Sequence, residues 1–210
     1  MAGTAPEGIG HAGAIVDAAL ALASEKGWHG VSLADIAARA DLSLAELHAE
    51  CDSKSAILKA FFQRLDDALW SGDLPQAEET PRDRLFDVVM RRFDALQPHR
   101  AGVQAILTGL ASDPWLLLSS GPHLLKTTAL MLEVSGISAS GPAGRLKVHG
   151  LSAIYLAVLR VWLSDDSADM GKTMAALDRF LRGAESIAGL AWRRRGASSI
   201  GGGSSGDGHA

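Results

Sequence analysis

Apolar residues return every three or four positions along most of this 210-residue chain, and no stretch alternates with polar residues long enough to predict a strand. A first helix is expected over about Ala14–Lys26, with Ile15, Ala18, Ala19 and Leu22 on one face and a stop at Gly27. Two short helices follow in Val31–Lys54. Leu33, Ile36, Ala37 and Ala40 make one face of the first apolar, and Ser32/Asp35 and Ser43/Glu46 have the S-x-x-D/E spacing of capping boxes. A longer helix beginning at Ser53 carries Ile57, Leu58, Phe61, Phe62 and Leu65 to about Trp70, and residues 71–79 read as a loop. Thr80-Pro81-Arg82-Asp83 supplies an N-cap, a proline at the first helical position and an acidic third residue, with Phe86, Val89, Met90 and Phe93 beyond. Pro98 opens a helix to about Leu110, and Asp113-Pro114 repeats the cap-plus-proline signal. Gly121-Pro122 predicts an interruption before a helix over His123–Val134. Residues 135–144 read as a Gly/Ser loop. Two long helices, about Arg145–Leu163 and Ser167–Leu190, close the pattern, with Asp165-Asp166-Ser167 as connection and cap. The expected class is all-α.

Two short capped helices joined by a tight turn are the layout of a helix-turn-helix, whose second helix lies in the DNA major groove. The order helix, Ser-Leu-Ala-Asp-Ile-Ala, Ala-Asp-Leu-Ser, short helix, Ser-Lys-x-x-Ile-Leu resembles the N-terminal domain of TetR-type transcriptional regulators over about residues 13–65. The chain departs from that family where it usually carries Gly (Ala45 here), Tyr (His48) and an aromatic residue (Cys51). The resemblance implies a small helix-turn-helix domain followed by a larger helical domain for ligand binding and dimerisation. It also implies double-stranded DNA as partner, met through Ser32, Ser43, Leu44, Ala45 and His48, with Lys54 on phosphate. The corresponding division is a flexible N-terminus at 1–12, the helix-turn-helix domain with its bridging helix at 13–70, the ligand and dimerisation domain at 80–192, and a flexible Gly/Ser-rich tail at 196–210.

Charge qualifies this picture. Residues 1–71 hold five basic and ten acidic side chains, a net −5 on the domain that would meet phosphates, although DNA affinity rests largely on Lys and Arg. The whole chain is at −4, with 47% apolar residues, ample for a core. No unbroken run of 18 apolar residues occurs, so no transmembrane helix is expected. The N-terminus lacks a signal-peptide pattern, and the lone Cys51 fits a reducing compartment; the expected location is cytoplasmic. The seven histidines show no metal-ligand spacing, and nucleophile elbows and phosphate or dinucleotide loops are absent. Neither a metal, a cofactor nor an enzymatic reaction is expected.

The second half offers a different chemistry. Phe86, Met90, Phe93, Trp115, Met131, Tyr155 and Trp162 are core candidates that would also line a pocket between helices for an apolar small molecule or lipid, with His123 and Tyr155 as orienting polar groups. The last two helices are the expected homodimer interface. A second resemblance lies at about residues 148–181. Gly150-x-x-x-Ile154-Tyr155 and Trp162-Leu-Ser-Asp165-Asp166-Ser167-x-Asp169-x-x-x-Thr173 are similar to the C-terminal region of the lipid-binding accessory proteins of coenzyme Q (ubiquinone) biosynthesis. That resemblance implies a TetR-like fold retired from DNA binding. Peripheral membrane contact would then run through Trp192, Arg193, Arg194 and Arg195, a group that suits an anionic surface. The expected function is a ligand-responsive DNA-binding regulator, with the lipid-binding accessory protein as the alternative.

Overall fold

The computed structural model describes residues 8–70, 79–112 and 114–200, and the backbone alone for 8–10, 70, 110–112, 114–120 and 187–200. Nine α-helices occur among the described residues: α1 Gly8–Lys26, α2 Leu33–Arg39, α3 Leu44–Glu50, α4 Lys54–Trp70, α5 Pro81–Leu96, α6 Arg100–Ser112, α7 Pro114–Val134, α8 Gly141–Leu163 and α9 Gly171–Ile200. A 3-10 turn at Gln97–His99 joins α5 to α6, and no strand occurs among these residues. The all-α expectation holds. Of the loop expected at 71–79 and the tail expected at 196–210, residues 71–78 and 201–210 lie outside the described residues, as do residues 1–7, while 196–200 belong to α9 instead of a tail.

The chain packs as two compact units, residues 1–152 and 153–210. In the first, Ile15, Ala19, Leu22, Trp28, Ile36, Leu47, Cys51, Ile57, Leu58 and Phe61 close the core of the α1–α4 head. Leu65 and Leu69 carry the apolar face of α4 onward, and α4 packs with α5 and α7. Helix α6 lies against α1 at unusually short range. A Cβ at Gly102 would fall 2.6 Å from the Leu20 carbonyl oxygen, and one at Gly109 would fall 3.1 Å from the Cβ of Trp28. His29 Nε2 reaches the Gly109 carbonyl at 3.1 Å, adding a polar tie at the same place. In the second unit Tyr155, Val158, Trp162, Ala176, Leu177 and Leu181 are buried.

Four boundaries differ from expectation. Helix α1 begins at Gly8, inside the segment expected to be flexible, and α8 begins at Gly141 rather than Arg145. Helix α9 starts at Gly171 instead of Ser167 and continues to Ile200. Residues 165–170 are instead a loop folded around the Asp165 carboxylate. The largest correction is at Gly121-Pro122: α7 runs unbroken from Pro114 to Val134 with Pro122 inside it. Proline removes one ladder hydrogen bond and disfavours helical backbone at the residue before it, partly through that residue's Cβ, which Gly121 lacks. Burial of Thr127, Thr128, Met131, Leu132 and Val134 then holds the following turns. The interruption expected at this point is therefore not formed.

Helix α8 bears on the membrane expectation. It is the one helix among the described residues long and apolar enough to cross a bilayer, by length and composition only. Arg145, Lys147 and Arg160 break its apolar run, which is why the unbroken-run criterion passes over it. Val148, Leu151, Ser152, Tyr155, Val158 and Trp162 along it are buried in protein.

Candidate nucleic-acid interface and its coupling to the helical body

Both capping boxes form. The Ser32 hydroxyl accepts the Asp35 N–H at 3.1 Å while the Asp35 carboxylate accepts the Ser32 N–H at 2.8 Å. The Ser43 hydroxyl accepts the Glu46 N–H at 3.2 Å, and the Glu46 carboxylate accepts the Ser43 N–H at 2.8 Å. These closed ends set where α2 and α3 begin, and Asp41 with φ +55° makes the turn between them. Leu47 is fully buried and anchors α3, while Leu44, Ala45, His48, Ala49 and Glu50 are exposed to solvent. Leu44 is 53% exposed although it is a large apolar residue. Five of the expected DNA contacts, Ser32, Ser43, Leu44, Ala45 and His48, are thus accessible on the head.

Lys54 has a different environment from the phosphate contact expected of it. Its ammonium donates to the carbonyls of Trp28 and Val31 at 2.5 and 3.0 Å and stands 4.6 Å from the Trp28 ring centroid. Partial burial pushes its pKa down, so the side chain acts inside the head as a clip between α4 and the loop before α2. The other cations of the α1–α2 face are engaged as well. Arg39 makes a bidentate pair with Glu25 at 2.9 and 2.8 Å, and Lys26 pairs with Asp35 at 2.7 Å. Hydrogen bonding from Lys26 and Ser32 holds the Asp35 carboxyl well below the usual range. Arg64 on α4 bonds Asp17 at 2.8 Å and His99 Nε2 at 3.0 Å. The acidic balance of the sequence thus appears in space as carboxylates paired with Lys26, Arg39 and Arg64. Cys51 is buried, and burial raises its thiol pKa.

At the far end of α4 lies a polar cluster that sequence reasoning missed. Arg92 of α5 is only 3% exposed and pairs with Asp66 of α4 at 2.5 Å. Thr127 of α7 donates to both Asp66 oxygens at 3.1 and 3.3 Å. His123 Nε2 stands 3.9 Å from Asp66, and its ring lies against Phe62 with centroids 4.8 Å apart. Burial lowers the His123 pKa; Asp66 opposes that shift, while Arg92, Lys126 and Lys59 add to it. A signal was present: Leu85, Val88, Val89, Phe93 and Leu96 define a buried face of α5, and position 92 falls within it. An arginine there requires a buried anion.

Of the expected ligand-lining residues in the first unit, Phe93 and Met131 are sealed from solvent, Met90 is nearly so, and Phe86 and His123 are half-exposed. Tyr155 and Trp162 are buried in the second unit. The side chains of Trp115, Trp192, Arg193, Arg194 and Arg195 lie outside the described residues. In the stretch that resembles lipid-binding accessory proteins, Asp165, 1% exposed, accepts the N–H and hydroxyl of Ser167 at 3.1 and 2.5 Å. It also accepts those of Thr173 at 2.8 and 2.7 Å. Burial works against its charge, but these four bonds outweigh burial and hold the carboxyl well below the usual carboxylate range. The cluster caps α9. Among the described residues no three His, Cys, Asp or Glu side chains converge as a metal site.

This geometry, a capped helix-turn-helix followed by α4, which packs against α5 and α7, agrees with the comparisons. Residues 15–61 match the pattern of bacterial regulatory proteins, tetR family. A TetR transcriptional regulator from Nitrosomonas europaea is 26% identical, with a TM-score of 0.70 over 83% of this chain and 97% of that one. A TetR transcriptional regulator from a Rhodococcus species (17% identity, TM-score 0.61, 84% and 96% covered) has the same fold. So does a tetR-family regulator from Streptomyces coelicolor (19%, 0.55, 87% and 89%). No curated protein matches the chain in sequence. Residues 15–61 are thus similar to the tetR-family N-terminal pattern, and the fold is TetR-like and all-α.

Proposed function

We propose that this protein is a homodimeric DNA-binding transcriptional regulator of the TetR type whose DNA affinity is set by a small apolar molecule held in its helical body. The observation that carries this reading is the exposed α3 face, held in a helix-turn-helix by two complete capping boxes. Ligand response is supported by the path of α4. The helix begins at the Lys54 clip under the head and passes Asp66, which α5 and α7 grip through Arg92 and Thr127. A ligand that binds one spacing of α5 and α7 better than another shifts α4 with it, which is a change in population between two states. Dimer formation is supported by α8, where Leu146 is 73% and Leu156 50% exposed, apolar surface that a partner copy would cover.

The test is fluorescence anisotropy with DNA from upstream of the protein's own coding region, in excess nonspecific competitor and across a salt series. Competitor-resistant binding supports the regulator. Absence of binding at low salt, with and without solvent extraction of bound apolar material, overturns it; liposome association of the same preparation would then favour the lipid-binding alternative.

A further inference from the structure

We infer that α3 selects its DNA half-site by apolar contact with thymine methyl groups, with Leu44 as the specificity-determining residue; the inference rests on the DNA-binding reading above. In a helix-turn-helix the N-terminal residues of the second helix meet base edges. Here the first residue of that helix is Leu44, and Ala45 follows it, both exposed. Guanine and adenine are read by bidentate Arg, Lys, Asn or Gln, and α3, Leu-Ala-Glu-Leu-His-Ala-Glu, holds none of these. Glu46, a carboxylate of the kind that accepts from cytosine, is spent on the Ser43 N–H, and hydrogen bonding from Ser43 lowers its pKa. Glu50 sits at the last position of the helix, away from the end that meets bases, and His48 offers a single ring.

The thymine 5-methyl is the one apolar group on the major-groove edge of the four ordinary bases, and an exposed leucine is its natural complement. Burying Leu44 against it removes apolar surface on both sides from water. Among the described residues only Leu146 and Leu156 of α8 are large apolar side chains of comparable exposure, so Leu44 is the single such residue on the head.

The experiment first selects binding sequences from a random duplex pool, then replaces each thymine of the enriched site by deoxyuridine, which lacks only the methyl. The expected result is a loss of roughly fourfold per contacted methyl, about what burial of one methylene-sized group gives. The loss should occur at one or two positions of each half-site. Leu44→Ala should bind the thymine and uracil sites equally, and Leu44→Met should restore the discrimination. Because Leu44 is exposed, these variants keep the fold, and circular dichroism verifies it. Uracil tolerated at every position, or Leu44→Ala as sensitive to uracil as the parent, overturns the inference and leaves the regulator standing. No enriched sequence at all overturns both.

Discussion

Lys54 ties the start of α4 to the loop before α2 through the carbonyls of Trp28 and Val31. At the start of the bridging helix a lysine suggests a phosphate contact, yet its ammonium bonds two carbonyls and covers the Trp28 ring. Lys54→Met keeps the stem and deletes the donors, leaving part-buried carbonyls of Trp28 and Val31 without this partner. The expected loss is about 1–3 kcal/mol, read as a lower urea midpoint with unchanged slope. Weaker DNA binding by Lys54→Glu would then report a damaged head, so the stability of that variant has to be measured beside its affinity. Histidine makes a second prediction at this scale. Burial lowers the pKa of His99, with Arg64 adding to the shift and Asp17 opposing it, and burial lowers that of His123 as well. His99 Nε2 accepts from Arg64, which requires that nitrogen to be unprotonated. Because both folded-state values lie below the ordinary 6.5, the unfolded chain takes up protons first. Stability is therefore level above that value and falls as pH drops below it. Urea midpoints from about pH 8 down to about pH 5 should show this slope, and the double variant His99→Gln/His123→Gln should flatten it. The carboxylates with lowered pKa, Glu25, Asp35, Glu46 and Asp165, act in a separate window beginning near the ordinary 3.8–4.5 and extending to lower pH.

At the scale of elements, the join between α4, α5 and α7 is decided by a charge pair in an apolar face. Arg92→Met leaves Asp66 buried with Thr127 but without its guanidinium partner. Removing one member of such a pair costs about 3–5 kcal/mol, whereas replacing both by neutral groups costs much less. The double variant Asp66→Asn/Arg92→Met should therefore recover much of the stability that Arg92→Met loses in urea denaturation. Equal losses in both would show that the pair contributes little beyond packing. This join also marks the limit of what the sequence disclosed. Helices with local signals were legible: the capping boxes at Ser32 and Ser43, the Thr80-Pro81 start and the Gly27 stop all form as read. Each of those signals is complete within four or five residues. Features that depend on a distant partner were not legible. Asp66 and Arg92 are 26 positions apart, and the narrow approach of Gly102 to Leu20 has no local pattern at all. Gly121-Pro122 failed for the opposite reason, since a real local signal was overridden by tertiary burial of the turns after it. Of the candidate site, the α3 residues Leu44, Ala45 and His48 came from the family resemblance, but the engagement of Arg39 and Lys54 required coordinates.

For the molecule as a whole, the proposed DNA binding turns on how many cations the head brings to phosphate. A protein that neutralises Z phosphates on duplex DNA shows a slope of about −0.9Z in log affinity against log salt. The head has five basic residues against ten acidic ones in residues 1–71, and Lys26, Arg39, Lys54 and Arg64 are each engaged by a neighbour. A dimer of such heads is expected to bind with a slope of magnitude below about 4, shallow for a helix-turn-helix protein. Arg39 gives the sharper form of the prediction. It lies in the last turn of α2, the helix that crosses the DNA backbone in this motif, and Glu25 of α1 holds it by two bonds. Hydrogen bonding and attraction from Arg39 lower the Glu25 pKa, so the carboxylate is ionised at neutral pH and competes with phosphate for the guanidinium. Both side chains are exposed, so the pair adds little to stability. Glu25→Gln should therefore leave the urea midpoint almost unchanged while releasing Arg39. The DNA affinity should rise at low salt, and the slope should steepen by about 1 for each head, near 2 for the dimer. An unchanged slope in Glu25→Gln would place Arg39 away from the backbone, and the head would then have to dock on DNA through α3 alone.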